Sequence, residues 1–130
     1  MSQGADIVRR SFERFSANDV DGVLELMDPE VQFHDVPEIP GSTTYRGHEG
    51  IRRWWATVKE PMEELRFEFV DVTEGEEKLA VVTRAVGRGR GSGAEVDWTF
   101  TTVWGVRDGL IYYHQGYADH AEALRAIGAA

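Results

Sequence analysis

Residues 31–55 read VQFHDVPEIPGSTTYRGHEGIRRWW. Val31 and Phe33 alternate with Gln32 and His34, the period of a half-buried strand running Val31–Asp35. Val36 to Tyr45 is a loop rich in Pro, Gly, Ser and Thr. Gly47-His48-Glu49 opens a helix with an acid in its first turn, where the dipole favours negative charge. Ile51, Trp54, Trp55 and Val58 follow at i, i+3, i+4 and i+7, so one helix face is apolar, and Pro61 closes it. The stretch poses a question about His34-Asp35: either chemistry at a pocket mouth, or a polar strand end that turns a corner.

Upstream, Ile7, Val8, Ser11, Phe12 and Phe15 predict a helix over 5–16. Asp19 is placed to cap a second helix with Val20, Val23, Leu24 and Met27 on one face, ended by Asp28-Pro29. Downstream the period switches to two. Leu65, Phe67 and Phe69 alternate with Arg66, Glu68 and Val70, and a turn at Thr73–Glu77 leads into a strand over Leu79–Val86. GRGRGSG (87–93) precedes strand residues rather than a helix, so it reads as a hairpin connection and not a phosphate loop. A long strand over Val96–Val106 puts Trp98, Phe100, Thr102 and Trp104 on one side. Asp108-Gly109 is a hairpin signal, Leu110–Tyr117 returns, and Asp119 caps a short last helix holding Leu124 and Ile127. Helices segregated from a mostly antiparallel sheet make an α+β fold, in one domain over 1–130.

The 130 residues carry a net charge of −9, which opposes binding to nucleic acid, since that needs basic surface against phosphates. No apolar run is long enough to span a bilayer and no leader-like stretch opens the chain, so no membrane partner is expected. The absence of cysteine removes disulfide and thiolate chemistry and agrees with a cytoplasmic setting. The four histidines lack ligand spacing, so no metal is expected and no cofactor is signalled. Four tryptophans and six phenylalanines are a heavy aromatic load for this length, shared between core and any cavity wall.

Four segments carry a family resemblance: Asp28-Pro-Glu-Val-Gln-Phe-His-Asp35, Tyr45-Arg-Gly-His-Glu-Gly-Ile-Arg-Arg-Trp-Trp55, Arg107-Asp-Gly-Leu-Ile111 and Tyr117-Ala-Asp119. With the element order, they resemble the nuclear transport factor 2-like superfamily, in its SnoaL-like and ketosteroid-isomerase-like branch. The resemblance implies a cone: a curved sheet wrapped around helices with an internal, mostly apolar pocket, often paired as a homodimer through the outer sheet face. It hosts isomerases, cyclases, dehydratases, epoxide hydrolases and non-catalytic binders, so it does not choose an activity. Asp35 matches the general-base aspartate of the ketosteroid isomerases. The tyrosine partner of that base falls near Ser11 or Phe12, the second acid near Thr102, and the acid of the epoxide-hydrolysing relatives at Gly116. Steroid isomerisation and epoxide hydrolysis are therefore both disfavoured.

Asp35 is accordingly either an acid/base in an apolar cone or a cap for the loop behind it. If Thr102 faces inward, hairpin parity and the family pattern turn Tyr112, His114 and Gly116 inward too. His114 then either pairs with Asp35 as a proton relay or serves the sheet alone. Phe33, Tyr45, Trp55, Trp98, Phe100, Thr102, Trp104 and Tyr117 complete the expected ligand wall. Trp55 is preferred to Trp54, and Trp98 is also a candidate for a rim. The expected ligand is a small apolar molecule. The functions in view are a cofactor-independent isomerase, cyclase or dehydratase, a hydrophobic-ligand binder, or a dimeric association domain.

Overall fold

The computed structural model describes residues 2–36 and 44–129; most of the loop read over Val36–Tyr45 lies outside them. Helix α1 (Gln3–Ser16) is capped by the Ser2 side chain and buries Ile7, Val8, Ser11, Phe12 and Phe15. Helix α2 (Val20–Leu24) starts at Asp19, whose carboxylate accepts the Gly22 N–H. Strand β1 (Met27–His34), the short β2 (Thr44–Arg46) and α3 (Gly47–Lys59) follow. Then come β3 (Met62–Glu74), β4 (Lys78–Gly89), β5 (Glu95–Arg107), β6 (Leu110–Tyr117) and α4 (His120–Ala126), the last capped by Asp119.

The six strands form one sheet in the order β2-β1-β6-β5-β4-β3. Every neighbouring pair is antiparallel except β1 and β6, which run parallel. Helices α1 and α3 pack on the concave face, and α4 on the other. The α+β cone expected from the sequence is the fold observed. Its core is a nest of rings: Phe15 meets Trp54 at 5.3 Å and Trp55 at 5.2 Å, and Phe33 meets Trp54 at 4.6 Å. Each such buried aromatic contributes roughly 1.5–3 kcal/mol by leaving water.

Two elements differ from the sequence reading. Helix α2 stops at Leu24, and Met27 opens β1 instead of extending the helix, because it pairs with Ile111 of β6. Pro29 therefore sits in the strand. It is tolerated there because the β1–β6 register slips between Met27 and Gln32, so no ladder N–H is required of it. The hairpin β5–β6 also slips, between Gly105 and Val106. That extra residue leaves Ile111 buried in the core and carries Tyr112 out of the concave face, against the expected parity. A Cβ on Gly105 would stand 2.6 Å from the Tyr112 ring, so the glycine makes the slip possible.

Gly116 answers to another close approach. Its Cβ would stand 2.6 Å from Val36 Cγ2 and 3.2 Å from the Val36 nitrogen. Only glycine lets the chain leaving β1 pass over β6 at this point. Gly116→Ala is expected to lower stability by about 1–3 kcal/mol in urea unfolding, because Val36 is fully buried with little room to yield.

Candidate functional site

The concave face encloses a cavity of about 210 Å³ between the sheet, α1 and α3. Its wall follows from strand register. On β5, Trp98, Phe100, Thr102 and Trp104 point inward, opposite Ala85, Thr83, Val81 and Leu79 of β4. On β6, His114 lies opposite Trp104, and Gly116 opposite Thr102. Phe33 of β1 lies beside His114, and Asp35 continues past the strand end. Phe12 and Phe15 close the cavity from α1, and Trp54 and Val58 from α3. Trp98 is 39% exposed and stacked on Phe100 at 4.4 Å, so it marks the mouth, as its position near the strand start suggested.

Seven of the ten candidate residues come together here: Phe33, Asp35, Trp98, Phe100, Thr102, Trp104 and His114. Trp55, Tyr45 and Tyr117 do not. Trp55 turns to the C-terminal end of α1, where its indole donates to Asn18 Oδ1 at 2.7 Å. Its neighbour Trp54 lines the cavity instead. Tyr45 sits on β2 beneath the Arg53 guanidinium, with its Cα and Cβ close against Gly50 of α3. Tyr117 follows the inward Gly116, so strand alternation sends it to the opposite face, against α4. The sequence reading also missed Phe12, Phe15, Met62, Leu65, Phe67, Thr83 and Ala85 as wall. Alternation already separated Leu65 and Phe67 from Arg66, and that signal would have found them.

The polar groups are few and well held. Asp35 Oδ1 accepts the Val36 N–H at 2.8 Å, and Oδ2 accepts the Trp54 indole N–H at 3.3 Å. Trp104 donates to Thr102 Oγ1 at 2.7 Å, and Thr102 and Thr83 share a hydrogen bond at 3.0 Å. His114 is buried between Phe33, stacked at 3.9 Å, and the edge-on Trp104 at 4.6 Å. Loss of water pushes its pKa down to about 3, against a weaker upward pull from a hydrogen bond to the His34 backbone. The ring is therefore neutral at pH 7, and its Nδ1 has no hydrogen-bond partner among the described residues. No hydrogen bond joins His114 to Asp35 among those residues either, so of the two readings of His114 the direct relay is the one not formed. His34 points away from the cavity wall and bonds Thr44 Oγ1 at 2.9 Å. His48 and His120 bond the Met27 carbonyl and the Thr101 hydroxyl. Arg84 faces outward and pairs with Asp97 and Glu68.

A family model of the SnoaL-like domain matches residues 8–114. The chain belongs to this family. Among curated proteins nothing matches. Solved structures are similar over nearly the full length. One is a protein of unknown function from Burkholderia pseudomallei K96243 described as NTF2-like, at 25% identity and a TM-score of 0.80, with 98% of each chain covered. A second is described as a putative SnoaL-like polyketide cyclase from Jannaschia sp. CCS1, at 22% identity and a TM-score of 0.76, covering 98% of this chain and 93% of the other. A third is Rv0760c from Mycobacterium tuberculosis in complex with estradiol-17β-hemisuccinate, at 17% identity and a TM-score of 0.77, covering 93% and 97%. A SnoaL-like cone of this kind is a small-molecule pocket fold.

The buried histidine makes folding sensitive to acid. Its folded pKa of about 3 lies below the ordinary value near 6.5. Between those values the unfolded chain holds the extra proton, so stability falls as pH drops from 6.5 toward 3. The slope from this group is up to about 1.4 kcal/mol per pH unit. Urea unfolding of the wild type and His114→Phe at pH 7, 6 and 5 should show the wild type losing stability faster on acidification. The lowered pKa of His34 acts in the same direction in both proteins and cancels in the comparison.

Proposed function

We propose that this protein is a cofactor-independent proton-transfer enzyme of the cyclase, isomerase or dehydratase type, acting on a small, largely apolar molecule with Asp35 as acid/base. One observation carries this reading: among the described residues, Asp35 places the lone acidic side chain on the wall of a largely apolar, aromatic cavity. A carboxylate so placed meets an enclosed substrate with little competing water, the setting in which proton transfer by a side chain is effective. His114, being neutral, acts as an uncharged hydrogen-bonding group at the floor and not as an acid. Complex formation by a relative with a steroid ester, and the polyketide cyclase description of another, support a ring-shaped apolar substrate. The reaction most in keeping with this wall starts from an enol: Asp35 takes the O–H proton as the O–H pair becomes a C=O bond, and the C=C pair either attacks a carbonyl carbon, whose π pair moves to its oxygen and takes the proton from Asp35, or takes a proton from water, the hydroxide then recovering the proton from Asp35.

A hydrophobic-ligand binder is the second reading. It is favoured by the two N–H groups that already hold the Asp35 carboxylate. Exchange of the C1 hydrogen of 2-naphthol in D2O separates the two, because that carbon gains hydrogen as the ring hydroxyl loses its own. The wild type should accelerate exchange on the order of 10²-fold over buffer, and Asp35→Asn should abolish the acceleration while still binding the probe. A saturated cavity with exchange at the buffer rate leaves the binder. Pairing of two copies through the outer sheet face remains a proposal, read by light scattering.

A further inference from the structure

The cavity wall carries one carboxylate and no charge to balance it. Among the described residues that line it, Asp35 is the lone acid, and no lysine or arginine is present. His114 is held neutral, so it supplies no positive charge. None of the ion pairs among the described residues uses Asp35. Residues 37–43 read PEIPGST and contain no basic side chain.

Two N–H groups orient the carboxylate without neutralising it. Val36 donates to Oδ1 at 2.8 Å, and the Trp54 indole donates to Oδ2 at a long 3.3 Å. A carboxylate has about four lone-pair sites, so acceptor capacity remains. Asp35 is also part-exposed, whereas Phe33 and Val36 near it are each 1% exposed. A neutral hydrocarbon filling the cavity would strip water from this carboxylate and return nothing for it, a costly exchange. A carboxylate ligand would set like charge against like. An ammonium group brings counter-charge and N–H donors together. The rings of the wall suit the same ion, Trp54 beside Asp35 and Trp98 on Phe100 at the mouth among them, because aromatic faces attract cations. The net charge of −9 draws cations toward the molecule as a whole.

We infer that the cavity is a binding site for lipophilic amines, the ammonium group seated on the Asp35 carboxylate and the hydrocarbon body among the rings, and that it rejects carboxylates. The inference goes beyond the proton-transfer reading, since it needs the cavity and the carboxylate but no reaction. An amine so bound occupies the group that the reaction would use, and is therefore an inhibitor of it.

Four probes on one ring system test this by calorimetry at pH 7, on the wild type and on Asp35→Asn: 2-naphthylmethylammonium, 2-naphthylmethanol, 2-ethylnaphthalene and 2-naphthoate. In the wild type the ammonium should bind about tenfold more tightly than the ethyl compound, with naphthoate weakest. In Asp35→Asn that preference should vanish while affinity for the ethyl compound stays. In the wild type it should survive salt raised to about 0.5 M, because an enclosed pair is screened less than a surface field. In ¹⁵N-labelled wild type the Trp54 indole resonance should move further with the ammonium than with the ethyl compound, while the Trp55 indole, bonded to Asn18, should not distinguish them. The salt and resonance readouts do not depend on the variant folding. Equal or weaker binding of the ammonium, tightest binding of naphthoate, a preference that persists in Asp35→Asn or is erased by salt, or a Trp54 resonance blind to the charge overturns the inference. Amine binding as expected, with 2-naphthol exchange at the buffer rate, overturns the proton-transfer reading alone. Failure of all four probes to bind overturns both.

Discussion

Phe33 stacks on His114 with ring centroids 3.9 Å apart, and this contact sets the geometry around it. Stacking fixes how β1 sits on β6, the parallel pair in an otherwise antiparallel sheet. With Phe33 opposite His114, the next inward position on β6 is Gly116, and the chain leaving β1 passes directly over it. Asp35 is delivered to the cavity wall by that passage. Trp104 closes the other side of the imidazole and Trp54 the other side of Phe33, so one row of rings forms the floor and anchors α3 to the sheet.

The same row explains the electrostatics. Phe33 and Trp104 flank the buried His114 ring, and among the described residues no carboxylate pairs with it. Desolvation therefore dominates, and the ring is held neutral. Asp35 occupies a different environment two residues beyond Phe33: its oxygens meet a backbone N–H and an indole N–H at the cavity edge. The two groups share a cavity without sharing a proton.

Much of this was legible in the residues. The 3.6-residue spacing in α1 and α3 and the alternation in β5 located the core and most of the wall, because burial on one face imposes those periods. What escaped was decided by contacts between elements. Trp54 and Trp55 both satisfy the apolar spacing of α3; the choice between them depends on Asn18, held at φ 58° at the end of α1, which accepts the Trp55 indole. No pattern within α3 encodes that partner. The outward turn of Tyr112 had a signal in Gly105, since a glycine inside a strand often marks a bulge. Strict alternation was carried across it. The early start of β1 was hidden by Pro29, which reads as a breaker until the register slip removes the need for its N–H.

Thr102 shows how an ordinary side chain can redirect a shared fold. At the position where the resemblance implies a second acid, a protonated carboxyl would offer a hydrogen to a substrate oxygen. Thr102 also has a hydrogen, but Thr83 and the Val81 carbonyl lie within its reach, and Trp104 donates to its oxygen. The Ser11 hydroxyl, near the position of the tyrosine partner, is spent on the Val8 carbonyl at 2.6 Å, and Phe12 beside it presents only carbon. Both donor positions of an oxyanion-stabilising site are therefore closed by internal bonds or by hydrocarbon. The cone keeps its shape, its carboxylate and its aromatic walls, while the hydroxyls at or beside these two positions are turned to internal bonds.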